Sequence, residues 1–250
     1  MKRTVWGIMG AALAVMLGVR GVLAQCCGDC NGDGSVTVDE ILKAINSALT
    51  SCSDDGICKQ RFPASGQTTA HGPGSDGDVR AGAVLSYMDN GDGTISDNNT
   101  GLMWEKKDDS GGIHDMDNRY TWGMASEPYT MNGTMVTEFL AALNTSPCFA
   151  EHCDWRIPNI KELQSTVDYE IAAPGPVVNA TFHNAAGCAG CTDVRLASCS
   201  CTASRGYWSS TTYRGVPQNA WGVDFGSGFV ALGLPDNTAH LPVRAVRGGL

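Results

Sequence analysis

The chain has 250 residues, of which 42% are hydrophobic, so it is long and apolar enough for at least one domain with its own core. Its formal net charge of -9 comes from 26 acidic and 17 basic residues, and no basic stripe with interleaved aromatic residues is present, which excludes nucleic acid as an expected partner. All 11 cysteines follow residue 24 and predict disulfide bonds in an oxidising compartment.

Residues 1–24 have the pattern of a signal peptide. Two basic residues precede an apolar stretch at 4–19, and a small-residue cleavage site follows at 22–24. The apolar stretch is shorter than the roughly 20 residues that cross a bilayer, and Arg20 interrupts it, so cleavage is favoured over a membrane anchor. We therefore expect a mature chain that starts at Gln25, has no transmembrane segment, and is secreted or displayed on the cell surface.

Residues 25–58 are expected to form a small calcium-binding unit. The segment 29–40 matches the twelve-residue loop of an EF-hand, with oxygen-bearing side chains at the ligand positions and Gly34 at position six, where the loop turns sharply. Calcium prefers several oxygen ligands. The predicted ligands are Asp29, Asn31, Asp33, Ser35, Thr37 and Glu40. The alternative interpretation is a Gly/Asp-rich turn without a metal ion.

An apolar stripe at helical spacing follows the loop, so the exiting helix of the EF-hand is predicted. The stripe consists of Ile41, Leu42, Ile45 and Leu49. Too few residues precede the loop in the mature chain for an entering helix. Residues 29–49 resemble the loop-and-helix repeat of dockerin modules, although dockerins pair two such repeats and this chain has one. The resemblance implies a calcium-stiffened stalk, with a dockerin-type scaffold component as an alternative function.

Residues 59–83 are rich in Gly, Ser, Thr and Pro and predict a linker or extended lead-in, and residues 84–250 predict one further domain. Short apolar runs predict strands at 84–87, 101–104, 220–225 and 243–246. Two helices are predicted, at 135–143 and 160–169, and in the second Ile160, Leu163 and Val167 recur at helical spacing. The expected class is therefore α+β, with short strands, two helices and long loops.

A second Asp/Gly-rich segment, residues 89–97, is predicted to be a tight hairpin. With Gly93 at position six of a calcium loop, Met88 would occupy position one and could not bind calcium. Asn-Gly and Asp-Gly pairs supply the positive φ angles that tight hairpin turns require.

Five segments, in order, resemble the C-terminal domain family of the Legionella collagen-like adhesin. They are YMDNGDGTISDNNTGLMWEK at 87–106, DWRIPNIKEL at 154–163, YWSST at 207–211, AWGVDF at 220–225 and VRAVRGG at 243–249. The resemblance covers residues 62–250. It implies a C-type-lectin-like fold in which the first and last strands pair, and an exported bacterial binding protein, an adhesin without enzymatic activity. We expect the strands at 100–104 and 243–246 to form that pair.

A candidate recognition surface lies between residues 207 and 224, because aromatic faces and fixed hydrogen-bonding groups together can hold sugars. The candidate ligand-binding residues are Trp208, Ser209, Ser210, Tyr213, Arg214, Asn219 and Asp224. The tryptophans at 104, 155, 208 and 221 are also expected to serve the core. Although the family resemblance implies sulfated polysaccharides, the acidic chain would repel them, so an extracellular neutral glycan or protein is the expected ligand.

The cysteines fall into two sets. Five flank the calcium loop, and six lie further on, at Cys148, Cys153, Cys188, Cys191, Cys199 and Cys201. The last four also permit a tetrahedral zinc site, and formylglycine-generating enzymes share the implied fold, so a cysteine-dependent oxidase is the enzymatic alternative. Structural disulfides explain these cysteines without catalysis, and no catalytic residue is predicted. The odd total predicts a free thiol or an intermolecular disulfide.

Overall fold

The structure is a computed structural model that describes residues 38, 41, 62–123, 129–231 and 239–248. The chain divides into two compact units, Met1–Ile57 and Cys58–Leu250. Everything described from residue 62 onwards belongs to the second unit. None of the helices described is long and apolar enough to cross a membrane.

Two antiparallel sheets and several short helical segments form the second unit, so the predicted α+β class is confirmed. The first sheet has the order β1-β2-β3-β7 and the second the order β4-β5-β6. The strands are β1 (Tyr87–Asp89), β2 (Thr94–Asp97), β3 (Met103–Glu105), β4 (Gly206–Thr212), β5 (Ala220–Asp224), β6 (Phe229–Ala231) and β7 (Val246–Arg247). The helices are α1 (Asp76–Val79), α2 (Ala141–Asn144), α3 (Ile160–Gln164) and α4 (Ala185–Cys188), with a π-helix at Met135–Leu140 and a 3-10 turn at Phe149–Glu151.

The two segments expected to pair, 100–104 and 243–246, do so in part, through β3 and β7. Met103 lies opposite Arg247 and Trp104 opposite Val246 in an antiparallel register. The partner of the last strand is β3, however, and not the first strand, β1. The reason is that β2 pairs with both β1 and β3, which leaves the other edge of β3 for β7.

The predicted hairpin at 89–97 is present as the turn between β1 and β2. Gly91 and Gly93 have φ angles of 75° and 97°, which side chains with a Cβ rarely adopt. The Asp89 carboxylate accepts the Gly91 amide at 3.0 Å, which fixes the turn. The strand that leads into it begins at Tyr87, so the prediction of a strand over 84–87 was wrong by three residues.

The first predicted helix, 135–143, is confirmed as a π-helix that continues into α2, with Met135, Phe139 and Leu143 buried. The second prediction, 160–169, was wrong beyond Gln164. A capping box at Asn159 starts α3. The helix ends at Gln164. Beyond it, Val167 forms a β-bridge with Val178, and the Tyr169 amide donates to Ser65 O at 2.8 Å.

Three of the four predicted core tryptophans, Trp104, Trp155 and Trp208, are buried, and Trp221 is partly exposed. Trp104 packs in one apolar cluster and Trp155 and Trp208 in another. The buried Trp208 ring donates its Nε1 hydrogen to Tyr120 O at 2.9 Å, so its polar atom is satisfied within the core.

Three consecutive charged residues at the end of β3 are buried, which is rare for such side chains. The Glu105 carboxylate contacts Lys107 Nζ at 2.9 Å and His114 Nδ1 at 2.7 Å, and it accepts the Ala245 amide at 3.0 Å. Lys107 Nζ also lies 4.4 Å from the centre of the Phe139 ring. The Lys107 contact is an ion pair without the alignment of a hydrogen bond.

The other buried cations bind the neighbouring segments. Lys106 Nζ contacts Asp89 Oδ2 at 2.6 Å and donates to Leu196 O at 3.0 Å. The Arg244 guanidinium donates to Glu105 O at 2.8 Å and to Cys201 O at 2.9 Å. The buried charges therefore join β3, the cysteine-rich loop and the C-terminal segment.

Replacing Glu105 should destabilise the fold, because Lys107 would remain buried without its counter-charge. We expect Glu105→Ala to lose about 3–5 kcal/mol of unfolding free energy, and the isosteric Glu105→Gln also to be destabilised. The control is Asp154→Ala, which removes an exposed ion pair with Arg247 and should lose below about 1 kcal/mol. Urea denaturation measures all three variants. Equal losses for Glu105→Ala and Asp154→Ala would contradict the prediction.

Candidate functional site

The predicted calcium ligands and the signal peptide lie outside the described residues. Of the N-terminal unit, the structure describes Val38 and Ile41, which are both helical and 73% and 45% exposed. The calcium site at 29–40 therefore stays a prediction.

The six cysteines that the structure describes form three disulfides, as predicted. The pairs are Cys148–Cys153, Cys188–Cys201 and Cys191–Cys199, with Cα atoms 5.2, 5.2 and 5.1 Å apart. The four cysteines considered as zinc ligands are thus bonded to one another in pairs. Because six of the 11 cysteines pair among themselves, the odd cysteine belongs to the set outside the described residues: Cys26, Cys27, Cys30, Cys52 and Cys58.

The two neighbouring disulfides form a buried cluster, with each sulfur-bearing residue 0–6% exposed. Met116 packs against this cluster, and the Cys201 carbonyl accepts a hydrogen bond from Arg244. Cysteines that are oxidised and buried offer no thiolate to a substrate. The two disulfides therefore have a structural role: they constrain the loop from residue 188 to 201.

The far end of the β4–β5 hairpin brings several predicted ligand-binding residues together. We define the hairpin tip as residues 210–221 together with Tyr129. The Tyr213 and Trp221 rings meet edge-to-face, with centroids 5.7 Å apart and planes at 89°. The Tyr213 amide donates to Asn219 O at 2.7 Å and closes the loop. Arg214 lies exposed within it.

Other predicted ligand residues lie elsewhere. Trp208 and Ser209 have no exposed surface, so they support the hairpin from the core and cannot touch a ligand in this conformation. Asp224 lies opposite Gly206, at the other end of the hairpin, about 13 Å along β5 from Ala220. Its carboxylate accepts the Gly226 amide at 2.7 Å and the Ser227 hydroxyl at 3.1 Å, which stabilises the next turn.

Two residues of the hairpin tip, Gln218 and Tyr129, were not predicted from the sequence to belong to the site. Gln218 Nε2 donates to the Tyr129 hydroxyl at 3.1 Å, across a separation of 89 residues. Tyr129 lies in no predicted helix or strand, so no local pattern in the sequence signals this contact. Gln218 follows Pro217 in a polar loop, which predicts exposure but not a partner.

A separate groove of about 570 Å3 lies between residues 62–65 and the segment that includes α3. Its lining is mainly apolar and includes Phe62, Leu102, Val167 and Tyr169. The Glu162 carboxylate in its lining is engaged by Arg156 at 2.7 Å. The groove lining is thus mainly apolar, and its carboxylate is already paired.

Comparison with known proteins gives one match. The model of the Lcl C-terminal domain family matches residues 93–247. This is the C-terminal domain family of the Legionella collagen-like adhesin, so the resemblance found in the sequence is confirmed. The matched stretch includes strands β2 to β7, all three disulfides and the whole hairpin tip. Neither a curated protein nor a solved structure matches the chain.

Proposed function

Because the chain belongs to the Lcl C-terminal domain family, we propose that it is an exported adhesin, a non-enzymatic binding protein that recognises an extracellular glycan or protein. The proposal includes the C-type-lectin-like fold. Two observations support that fold: long loops separate the short strands, and the last strand, β7, pairs with β3, although β3 is not the first strand. The three disulfides suit a protein that works in an oxidising environment.

The hairpin tip is the proposed ligand-binding surface, and the edge-to-face pair of Tyr213 and Trp221 is the observation that carries the proposal. Both rings are partly exposed, so each presents an apolar surface to a ligand beside polar groups. Arg214, which follows Tyr213 in the chain, is exposed. Aromatic rings bury much apolar area with little loss of side-chain freedom, which suits binding surfaces.

The charge of the tip favours a neutral ligand over a polyanion. Arg214 is the one charged residue in the sequence 210–221, and one guanidinium does not offset a chain with a net charge of -9. A neutral glycan or a protein surface therefore suits the tip better than a sulfated polysaccharide.

Calcium is proposed as a structural ion in the N-terminal unit. The support is the register of the loop 29–40, in which Asp29, Asn31, Asp33 and Glu40 occupy ligand positions of an EF-hand. So short a unit has little core of its own, and metal binding contributes folding free energy in such cases. The proposed role is to stiffen a stalk that precedes the binding domain.

Ligand binding should depend on the hairpin tip. A glycan array with wild-type protein, run in calcium and in chelator, identifies a ligand, and its affinity is then measured for Tyr213→Ala and Arg214→Ala. We expect each variant to lose about tenfold or more in affinity, as for residues at the centre of a binding surface. The matched control is Phe229→Ala, because Phe229 is an aromatic residue outside the tip that is 73% exposed. A loss in the control with none in the tip variants would contradict the site.

Calcium binding should depend on the side chains at the ligand positions of the loop and not on a carboxylate at another position. Titration calorimetry of the wild-type protein is expected to show saturable heat, which Glu40→Gln should abolish because a bidentate ligand is lost. Asp39→Asn is the matched control, since position eleven of the loop is not a ligand position. Identical heats for the two variants would rule out the proposed register.

A further inference from the structure

A polar cavity of about 390 Å3 lies apart from the hairpin tip and shares no residue with it. Its lining comes from the β1–β2 turn, the segment after β3, the 3-10 turn, and the cysteine-rich loop. The lining residues used below are Asp92, Asp108, His114, Phe149, Asp193 and Arg195. The volume is within the range of sites that bind small ligands or single side chains.

A fully buried carboxylate, that of Glu105, forms a hydrogen bond with the Nδ1 atom of the His114 ring. His114 Nδ1 lies 2.7 Å from Glu105 Oε1. Burial alone would raise the pKa of Glu105, but the Lys107 ammonium and the His114 hydrogen bond outweigh it and lower that pKa below its usual value. The ionised carboxylate accepts a hydrogen, so a neutral His114 ring carries its proton on Nδ1 and leaves Nε2 as an acceptor.

Nε2 accepts no hydrogen bond from any residue that the structure describes, and His114 lines the cavity. The side chain is 15% exposed, so the ring is fixed in place and still reaches the cavity. A hydrogen bond from one ring nitrogen to a buried carboxylate fixes the tautomer and the orientation of a histidine ring.

Two carboxylates add further acceptors. One oxygen of Asp92 accepts from the Thr94 amide at 2.9 Å and its hydroxyl at 2.6 Å, and one oxygen of Asp108 accepts from the Ser110 hydroxyl at 2.8 Å. In each case the second oxygen has no hydrogen bond among the described residues.

The cavity therefore carries an excess of negative charge. Asp193 is paired with Arg195 through two contacts of 3.0 and 3.1 Å, which leaves that pair neutral. Neither Asp92 nor Asp108 forms a salt bridge in the described part of the chain. The Phe149 ring, which packs against the His114 ring at 4.3 Å and the Trp155 ring at 5.2 Å, adds apolar surface to the lining. Acceptors, negative charge and neighbouring apolar surface together suit an organic cation with an aliphatic stem.

We propose that this cavity binds the primary ammonium group at the end of a lysine side chain of a protein partner. The aliphatic stem of lysine would pack on Phe149, while the ammonium donates to His114 Nε2 and to the carboxylates of Asp92 and Asp108. A metal ion suits the cavity less well. In the described residues, the group of three carboxylates or histidines close enough to share an ion is Asp109, Asp115 and Asp117, and none of these lines the cavity.

The test is an NMR titration of the full mature chain that follows the ring signals of His114. The probes are Nα-acetyl-lysine amide, its uncharged analogue Nα-acetyl-norleucine amide, glucosamine, and Zn²⁺ alone. The variant is Asp92→Asn, which removes the charge but keeps an acceptor for the Thr94 amide. The matched control is Asp78→Asn, which makes the same change at an exposed residue outside the cavity.

If the cavity binds lysine, the lysine amide should give saturable shifts of the His114 signals and the norleucine amide none. The affinity for the lysine amide should be about tenfold weaker in Asp92→Asn and unchanged in Asp78→Asn. Equal responses to the lysine and norleucine amides would overturn it. Binding of glucosamine without the lysine amide would overturn it in favour of an amino sugar, and a Zn²⁺ response that Asp92→Asn abolishes, with no lysine response, would overturn it in favour of a metal site.

Discussion

The fold depends on the burial of three consecutive charges at residues 105–107. Taking such groups from water is unfavourable unless each finds partners, and removing one partner leaves another buried charge uncompensated. Here the partners come from distant parts of the chain: His114, the Leu196 carbonyl and the Ala245 amide. The Glu105 carboxylate and the Lys106 ammonium therefore have their partners only when β3, the cysteine-rich loop and the C-terminal segment are all in place, which makes these three parts interdependent.

This constraint explains how a domain with few regular elements can hold surface loops in fixed positions. Arg244 links the C-terminal segment to the loop that carries Cys201, and two disulfides stiffen that loop. The hairpin tip is supported separately, because Trp208 beneath it is bonded to the Tyr120 carbonyl in the second apolar cluster. Both proposed binding surfaces thus lie on loops supported by a fixed interior, which reduces the entropy lost when a ligand binds.

The sequence predicted what local patterns can encode. Asn-Gly and Asp-Gly predicted the hairpin, and the segment 135–143 was predicted as a helix. The motif resemblance predicted a pair between the strands at 100–104 and 243–246, which the structure forms at residues 103–104 and 246–247. Interactions between distant residues were missed. Helical spacing continued to Val167, yet that residue pairs with Val178, because a tertiary partner overrides local propensity. Charge alone would place Lys106 and Lys107 at the surface, and only the folded chain supplies their partners. For the candidate site, composition could not separate the buried Trp208 from the partly exposed Tyr213.

Native-state hydrogen exchange tests most directly whether the buried charges hold these three segments as one cooperative unit. The Ala245 amide donates to Glu105, the Cys201 amide donates to the Lys107 carbonyl at 2.9 Å, and the Asn219 amide in the hairpin tip bonds locally to Val216 O at 2.9 Å. If the account is correct, the Ala245 and Cys201 amides exchange only by global unfolding, with the same free energy, while Asn219 exchanges sooner through local opening. Exchange of Ala245 or Cys201 at the rate of Asn219 would show that the segments open independently and would contradict it.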